Sequence, residues 1–317
     1  MNETIKQFYI DESDKALCQL NEEVLRIKNS KEYRMGVKIL KLSYAIKHLD
    51  FMALKIALAH RNMHKKLKPY FKKNNIFLSF NPQIITKKRI AIYTCITGNY
   101  DKPIEPLYVP GNIDFYIITD MELPENSAWK KIEINSIIQI SNFDNTKKAR
   151  YVKTHPHVFF TEYEYSVWVD SNFRVIGNLE KFIKCIGKVI PFASNWHPDR
   201  NSIYTELDAC IIRGKDDASI LRRQVENYRA IGMPDNFGLI ETNMIVRRHM
   251  DIKCIELMEA WWNEIVKWSK RDQISLPFVL WRLGYTMNDI GFIGMEVRNN
   301  SSVQVLLHSI DYTCPKK

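Results

Sequence analysis

No run of 18 or more apolar residues occurs in this 317-residue chain, and its polar opening, MNETIKQFYIDESDK, is followed by no apolar core of a signal segment. The first absence argues against a transmembrane helix and the second against a secretory signal, so the sequence predicts a chain that stays in the cytoplasm. Paired cysteines are also missing: Cys18, Cys95, Cys185, Cys210, Cys254 and Cys314 are scattered, with no C-x-x-C spacing. That pattern speaks against a zinc knuckle or a disulfide framework and for reduced, mostly buried thiols. There is no internal repeat, no low-complexity tract, no Walker loop and no G-x-G-x-x-G. What remains is a chain with an ordinary 45% hydrophobic share, long enough for one large domain or a core domain with an appendage.

The formal charge of +10 is unevenly placed, because residues 34–73 hold eleven basic side chains against one acid, Asp50. The remainder is close to neutral, so no nucleic-acid-binding surface is expected on it. Residues 1–85 lack strand alternation and read as a helical, basic N-terminal region. Leu17, Leu20, Val24, Leu25 and Ile27 form one helical stripe, Val37, Ile39, Leu40, Ala45 and Ile46 another, and the region closes on HKKLKPYFKK. Such a helix either lies on an anionic membrane surface or docks on its own domain with its basic face in solvent.

From about residue 86 the chain alternates strands with helical stretches to its end, an α/β pattern that predicts a Rossmann-related, open mixed sheet flanked by helices. Strands are expected at 89–95, 114–119, 166–170, 190–194, 242–247 and 303–308, and helices at 144–154, 178–186, 215–231, 251–268 and 272–284. The most informative of these is Ser166-Val167-Trp168-Val169-Asp170-Ser171-Asn172, an apolar strand that stops on a carboxylate, a hydroxyl and an amide. Buried strands of open α/β sheets deliver their polar ends to a ligand crevice, although Asp170 would equally cap a turn. The spacing of Asp170 and Asn172 suits an oxygen-rich site for Mg²⁺ or Mn²⁺ held against a diphosphate, with Ser171 between them.

Other polar groups fall at comparable places. The first strand runs into Thr94-Cys95-Ile96-Thr97-Gly98-Asn99-Tyr100-Asp101, where backbone N–H groups and the hydroxyls of Thr94, Thr97 and Tyr100 would meet a nucleotide, unless this is a plain β-to-α connection. Lys147, Arg150 and Lys153 recur at i, i+3, i+6 and are read as one cationic helical face, facing a leaving diphosphate or solvent. His197-Pro198-Asp199-Arg200, with Tyr204 and Glu206, is dense enough in polar chemistry to suggest substrate contact. Ser269 and Asp272 have capping-box spacing, and the same geometry aims Asp272, Gln273 and the adjacent Arg271 out of a helix start towards an acceptor hydroxyl. Asp272 is thus a candidate base, with Glu241 the second. His308 closes the last strand as a metal ligand or a satisfied structural histidine.

Taken in order, TCITGNYD, KKARYVKTHPHVFF, YSVWVDSNF, HPDRNSIYTE, GLIETNMIVRRH and SKRDQISLPFVL resemble a glycosyltransferase-like domain family first catalogued as a domain of unknown function. It occurs in bacterial polysaccharide loci and in plant Golgi proteins linked to cell-wall polymers. The resemblance covers about residues 88–290 and implies a GT-A-like fold that binds a nucleotide-sugar, with Asp170-Ser171-Asn172 at the family's DxD-like motif. A full DxD would carry a carboxylate where this chain has Asn172. NSKEYRMGVKIL is similar to basic helical segments beside many bacterial polysaccharide glycosyltransferases, which implies action at the inner membrane face. The expectation is a glycosyltransferase that extends a capsule or lipopolysaccharide, using a nucleotide-sugar donor and a glycan or lipid-linked glycan acceptor. Its alternatives are a sugar-phosphate or other phosphoryl-type transferase of the same pathway, and a non-catalytic adaptor of a polysaccharide assembly complex.

Overall fold

The structure is a computed structural model that describes residues 90–294, 297–306 and 308, with positions 27, 30–32, 35, 36 and 39 of the N-terminal region. The chain divides into two compact units, Met1–Thr86 and Lys87–Lys317. Within the first, Ile27, Lys31, Glu32, Met35, Gly36 and Ile39 are helical. The rest of the expected stripes and all eleven basic residues of 34–73 lie outside the described residues. Among the described residues no helix is long and apolar enough to cross a membrane.

The second unit runs β1 (Ile90–Ile96), β2 (Ile113–Thr119), β3 (Trp129–Glu133), α1 (Asn145–Thr154), the short α2 (Pro156–Phe159), β4 (Tyr165–Val169), β5 (Phe173–Val175), β6 (Phe192–Trp196), α3 (Ile203–Ile212), α4 (Ala218–Ile231), β7 (Ile240–Arg247), α5 (Ile252–Lys267), α6 (Asp272–Arg282), β8 (Gly291–Gly294) and β9 (Val303–Val305). Seven strands form one sheet in the order β3-β2-β1-β4-β7-β6-β8, and β5 pairs with β9 in a small second sheet. All pairings in the large sheet are parallel except the two made by β7. The expected α/β open mixed sheet flanked by helices is therefore the fold that forms.

Alternation along the strands sorts the core onto two faces. Ala91, Tyr93 and Cys95 of β1 pack with Trp168, Tyr228, Trp261 and Phe278 on the helical side. Ile90, Ile92 and Ile96 pack with Phe115, Val167, Val169 and Phe182 on the other. Local signals fix the helix ends: Asp144 caps α1 through the Lys147 N–H, Asp217 caps α4, and Gly232 ends α4 at φ 102°. Differences from expectation have local causes too. The stretch expected as a helix at 178–186 is a 3-10 helix, Glu180–Cys185. The expected strand at 303–308 pairs only through Val305. β3 was not expected because its outward Lys130 and Lys131 break the apolar pattern of WKKIE, as suits a sheet edge. α3 was hidden inside HPDRNSIYTE, where Ser202 is its N-cap.

The helical side buries histidines that cannot easily charge. His155 Nδ1 lies 2.8 Å from the Tyr151 carbonyl, and His249 Nε2 lies 2.9 Å from that of Phe160. Burial, the largest influence, pushes both rings down to about 4 against these favourable carbonyls. A histidine held below its unfolded value stabilises the fold fully above the unfolded pKa of about 6.5 and loses that contribution as pH falls towards the folded value, because the unfolded chain binds the protons first. Urea denaturation should accordingly show a loss of about 3 kcal/mol between roughly pH 7 and pH 5. A midpoint unchanged over this window would show that neither ring is buried neutral.

Candidate functional site

Because β1, β2, β4 and β6 run in one direction, their polar C-terminal ends gather along one edge of the sheet. These ends carry Thr97, Asp120, Asp170 and His197. β7 runs against them and delivers its N-terminal residues, Glu241 and Thr242, to the same edge. Asp170 sits in a tight turn, its N–H bonded to the Asn243 carbonyl at 2.9 Å and its own carbonyl accepting the Phe173 N–H at 3.0 Å. Its Oδ1 accepts the Trp168 indole N–H at 2.8 Å and lies 3.6 Å from Lys153 Nζ, while about a third of the side chain is exposed.

The two residues after Asp170 tie it to the last described segment. Ser171 donates its hydroxyl to Asp101 Oδ2, and His308 Nδ1 lies 2.8 Å from the same oxygen. Asn172 Nδ2 donates to the Leu306 carbonyl at 2.8 Å, and the Leu306 N–H returns a bond to the Asn172 carbonyl. A carbonyl only accepts, so the Asn172 amide is fixed with its nitrogen on Leu306, leaving its oxygen as the atom suited to a cation. Tyr100 is half exposed and packs its ring 5.1 Å from that of His308.

Beneath this edge lies a buried array of charges. Lys153, 1% exposed, places Nζ 2.6 Å from Asp272 Oδ2, and the same oxygen accepts the Thr242 hydroxyl at 3.0 Å and lies 3.4 Å from Arg150 Nε. Burial works to raise the Asp272 pKa, yet Arg150, Lys153 and Arg271 together hold it well below the usual carboxylate range. A carboxylate so depressed is a poor proton acceptor. The expected capping box does not form: Ser269 donates to Gln224, and α6 begins after Arg271 without a side-chain cap. The expected single face of Lys147, Arg150 and Lys153 does not form either, since six residues of helix turn Lys153 about 120° away from Lys147. Lys147 bonds instead to the Val266 carbonyl at the end of α5.

The HPDR segment is brought together only in part. Arg200 Nε lies 2.5 Å from Glu206 Oε2, and His197 Nε2 faces both the Arg200 guanidinium at 2.9 Å and Glu206 at 3.7 Å. Arg271 interacts electrostatically with Glu206 and Asp272, joining this cluster to the buried array, and donates to Gln273 at 3.2 Å. Tyr204 points elsewhere: its hydroxyl bonds the Met233 carbonyl and its ring lies under Arg229. Glu241 is buried and accepts the Val297 N–H and the Arg298 guanidinium. Thr94 is also buried, inside β1, because the strand runs on through Ile96; the turn starts only at Thr97.

Two acids that shape this edge were not singled out from the sequence. Asp120 accepts the Gly98 N–H at 3.1 Å and the Thr97 hydroxyl at 3.4 Å. Gly98 has φ 65°, which glycine adopts without strain, and a Cβ there would come within 2.0 Å of the Asn145 amide and force it to move. Asp120 follows DFYIIT as Asp170 follows YSVWV, and the same strand-end rule finds both. Asp101 stands inside the turn TCITGNYD, but its partners lie far along the chain. Among the described residues no three His, Cys, Asp or Glu side chains converge as a metal site. Asp170 and Asn172 belong to one turn, and His308 reaches that turn through Asp101, which also receives the Ser171 hydroxyl.

The Gly-containing turn, the acid at the end of β2 and the acid-amide turn at the end of β4 all lie within one stretch that matches a known domain family. The chain belongs to the TOD1/MUCI70 glycosyltransferase-like domain family, which it matches over residues 79–306. The family resemblance carried by the six ordered motifs is thereby borne out. The chain is 27% identical over 194 residues to the probable hexosyltransferase MUCI70 of Arabidopsis thaliana, a match taking in 54% of this chain and 33% of the relative, so it spans about a third of that protein's length. Among solved structures, it is similar to the apo bifunctional glycosyltransferase WbbM (TM-score 0.40, 9% identity, 68% of this chain and 40% of that one). It is also similar to the galactosyltransferase LgtC in complex with donor and acceptor sugar analogues (TM-score 0.36, 10% identity, 66% and 74%).

The Lys153–Asp272 pair gives a direct test of the array. Lys153→Met leaves a buried carboxylate without its amine and should destabilise the domain by about 3–5 kcal/mol in urea denaturation. Combining it with Asp272→Asn should restore a large part of that loss. If the single variant unfolds at the parent's midpoint, the pair is not the constraint that its burial indicates.

Proposed function

We propose that this chain is a glycosyltransferase that moves a sugar from a nucleotide-sugar donor to a glycan or lipid-linked glycan acceptor. The observation that carries the reading is the convergence of Thr97, Asp120 and Asp170 on one sheet edge, within a domain of a glycosyltransferase-like family. In this reading Asp120 and the Gly98 turn accept the nucleoside end, since an acid after the second strand suits ribose hydroxyls or base N–H groups. Asp170, Asn172 and His308 would hold Mn²⁺ or Mg²⁺, which supplies positive charge to the diphosphate of the donor. Arg150 adds cationic charge near the leaving group, whereas Lys153 is neutralised by two carboxylates and serves to set Asp170 in place.

On the acceptor side, the depressed and buried Asp272 is assigned to holding Lys153, and proton transfer is left to Glu241. His197, Arg200, Glu206, Arg271 and Gln273 supply polar contacts to the acceptor. The family's occurrence in bacterial polysaccharide loci supports a growing surface polysaccharide, capsule or lipopolysaccharide, as the product. The basic residues of 34–73 support recruitment to an anionic membrane on its cytoplasmic side.

Asp170→Ala should abolish sugar transfer with the fold retained, and Asp120→Ala should raise the donor KM with little change in kcat. Chelation with EDTA should remove activity and Mn²⁺ should restore it. Release of a nucleoside diphosphate is expected; a nucleoside monophosphate would point to sugar-phosphate transfer. Parent-level transfer by the Asp170 variant would overturn the reading. For the basic segment, replacing Lys65, Lys66, Lys68, Lys72 and Lys73 with Gln should release the protein from anionic vesicles while sparing transfer to a soluble acceptor. Undiminished sedimentation with such vesicles would show that this patch is a solvated face.

A further inference from the structure

Arg174 is the central residue of β5, between Phe173 and Val175, whose side chains are buried in the second core. Strand alternation therefore turns Arg174 to the other face, the one that Asn172 occupies two residues earlier. The ladder with β9 supports this placement: Arg174 stands opposite Gln304, and two residues along the Leu306 N–H donates to the Asn172 carbonyl. The bond from the Phe173 N–H to the Asp170 carbonyl closes a tight turn, which holds these two residues within about 7 Å of each other. Arg174 thus follows directly on the Asp170 turn.

Its side chain is partly exposed, yet Nε is shut off from solvent, and among the described residues the guanidinium makes no hydrogen bond and no ion pair. The acids beside it are engaged elsewhere, Asp101 by Ser171 and His308, Asp170 by the Trp168 indole and Lys153. A guanidinium does not lose its proton in a protein, so a shielded donor of this kind is not relieved by neutralisation. An anion that brings oxygens to its fork relieves it. The adjoining edge carries Asp101, Asp120 and Asp170, which repel a diphosphate, while the charges of Arg150 and Lys153 lie against Asp272. We propose that Arg174 binds the diphosphate of the nucleotide-sugar donor, its guanidinium taking two phosphate oxygens and offsetting the acids of this edge. The inference rests on the donor reading above and adds to it a residue outside the set already assigned.

The test is calorimetric titration of the full chain with inorganic pyrophosphate at fixed Mg²⁺. Arg174→Gln should weaken pyrophosphate binding about 10- to 100-fold, the loss expected of charge-assisted bonds. Arg174→Lys, which keeps the charge and loses the fork, should recover part of it. The urea midpoint should not fall in either variant, because no bond within the protein is removed. Lys188→Gln, an equal change of charge at an exposed position ahead of β6 on the opposite rim, should bind as the parent does. Glucuronate, whose carboxylate suits the same fork, should not displace pyrophosphate. Parent-like binding by Arg174→Gln overturns the proposal, and so does a parent chain that does not bind pyrophosphate. Equal weakening by Lys188→Gln makes the effect one of net charge, a midpoint that falls in step with binding assigns Arg174 to packing, and displacement by glucuronate moves the assignment to an acidic sugar; each of these overturns it too. Failure of the functional reading is seen separately, as parent-level sugar transfer by Asp170→Ala.

Discussion

The hold on Lys153 is the constraint around which the domain is arranged. Its amine reaches Asp272 at the start of α6 and Asp170 at the end of β4, while its backbone carbonyl receives the Tyr93 hydroxyl from β1 at 2.9 Å and the Arg247 guanidinium from β7 at 2.8 Å. One residue near the end of α1 thus fixes two helices and three adjacent strands relative to one another. The carbonyl lies in the last turn of α1 and has no helical partner, so the buried Arg247 and Tyr93 meet a need that any helix end creates. Arg247 is itself fully buried, with its second guanidinium nitrogen on the Tyr93 hydroxyl. Buried ions are costly to desolvate, and here each is matched by charged or dipolar partners from a different element, which ties their desolvation to one specific arrangement of the fold.

The same hold explains why Asp170 can be about a third open to solvent and still held in place. Its Oδ1 is occupied from behind by the Trp168 indole and Lys153, and its backbone is locked to β7. Flexibility is removed from the side of the carboxylate that faces the core, so ordering its outer side on a ligand requires little further loss of freedom. Asp120 is arranged in the same manner, with its inner contacts made to Thr97 and Gly98. Pre-set acids of this kind are what recognition of hydroxyls and cations calls for.

Much of this was legible in the amino-acid order, and the parts that were not have identifiable physical reasons. Apolar runs ending in polar residues revealed β1, β2 and β4 because burial on both faces leaves polar residues only at the ends. β8 was illegible because GFIG has no strand pattern; its Gly291 is demanded by the Cys185 carbonyl, which a Cβ would approach to 1.7 Å. The capping-box spacing of Ser269 and Asp272 was genuine as a local signal, but tertiary partners outbid it: Gln224 for the serine, Lys153 for the aspartate. The separation of Lys147 from Lys153 follows from helix geometry alone and was within reach of the sequence. The meeting of Asp101 with His308, 207 residues apart, was not, since nothing local encodes a contact made by the closing of a second small sheet.

The reversal of β7 has an asymmetric consequence for how this domain can diversify. A parallel strand reaches the polar edge with the segment that follows it, whereas β7 reaches it with the segment that precedes it, residues 232–239. That connection already meets the edge, through the Leu239 carbonyl on the His197 N–H and Gly238 on the Asn201 carbonyl. The opposite connection, residues 248–251, leads from the far end of the sheet into α5. Insertions before β7 therefore remodel what the edge presents without altering the acids under it, while insertions of equal length after β7 change the distant rim. What the edge presents and the acids beneath it are in this way written on different stretches of the chain, free to vary at different rates.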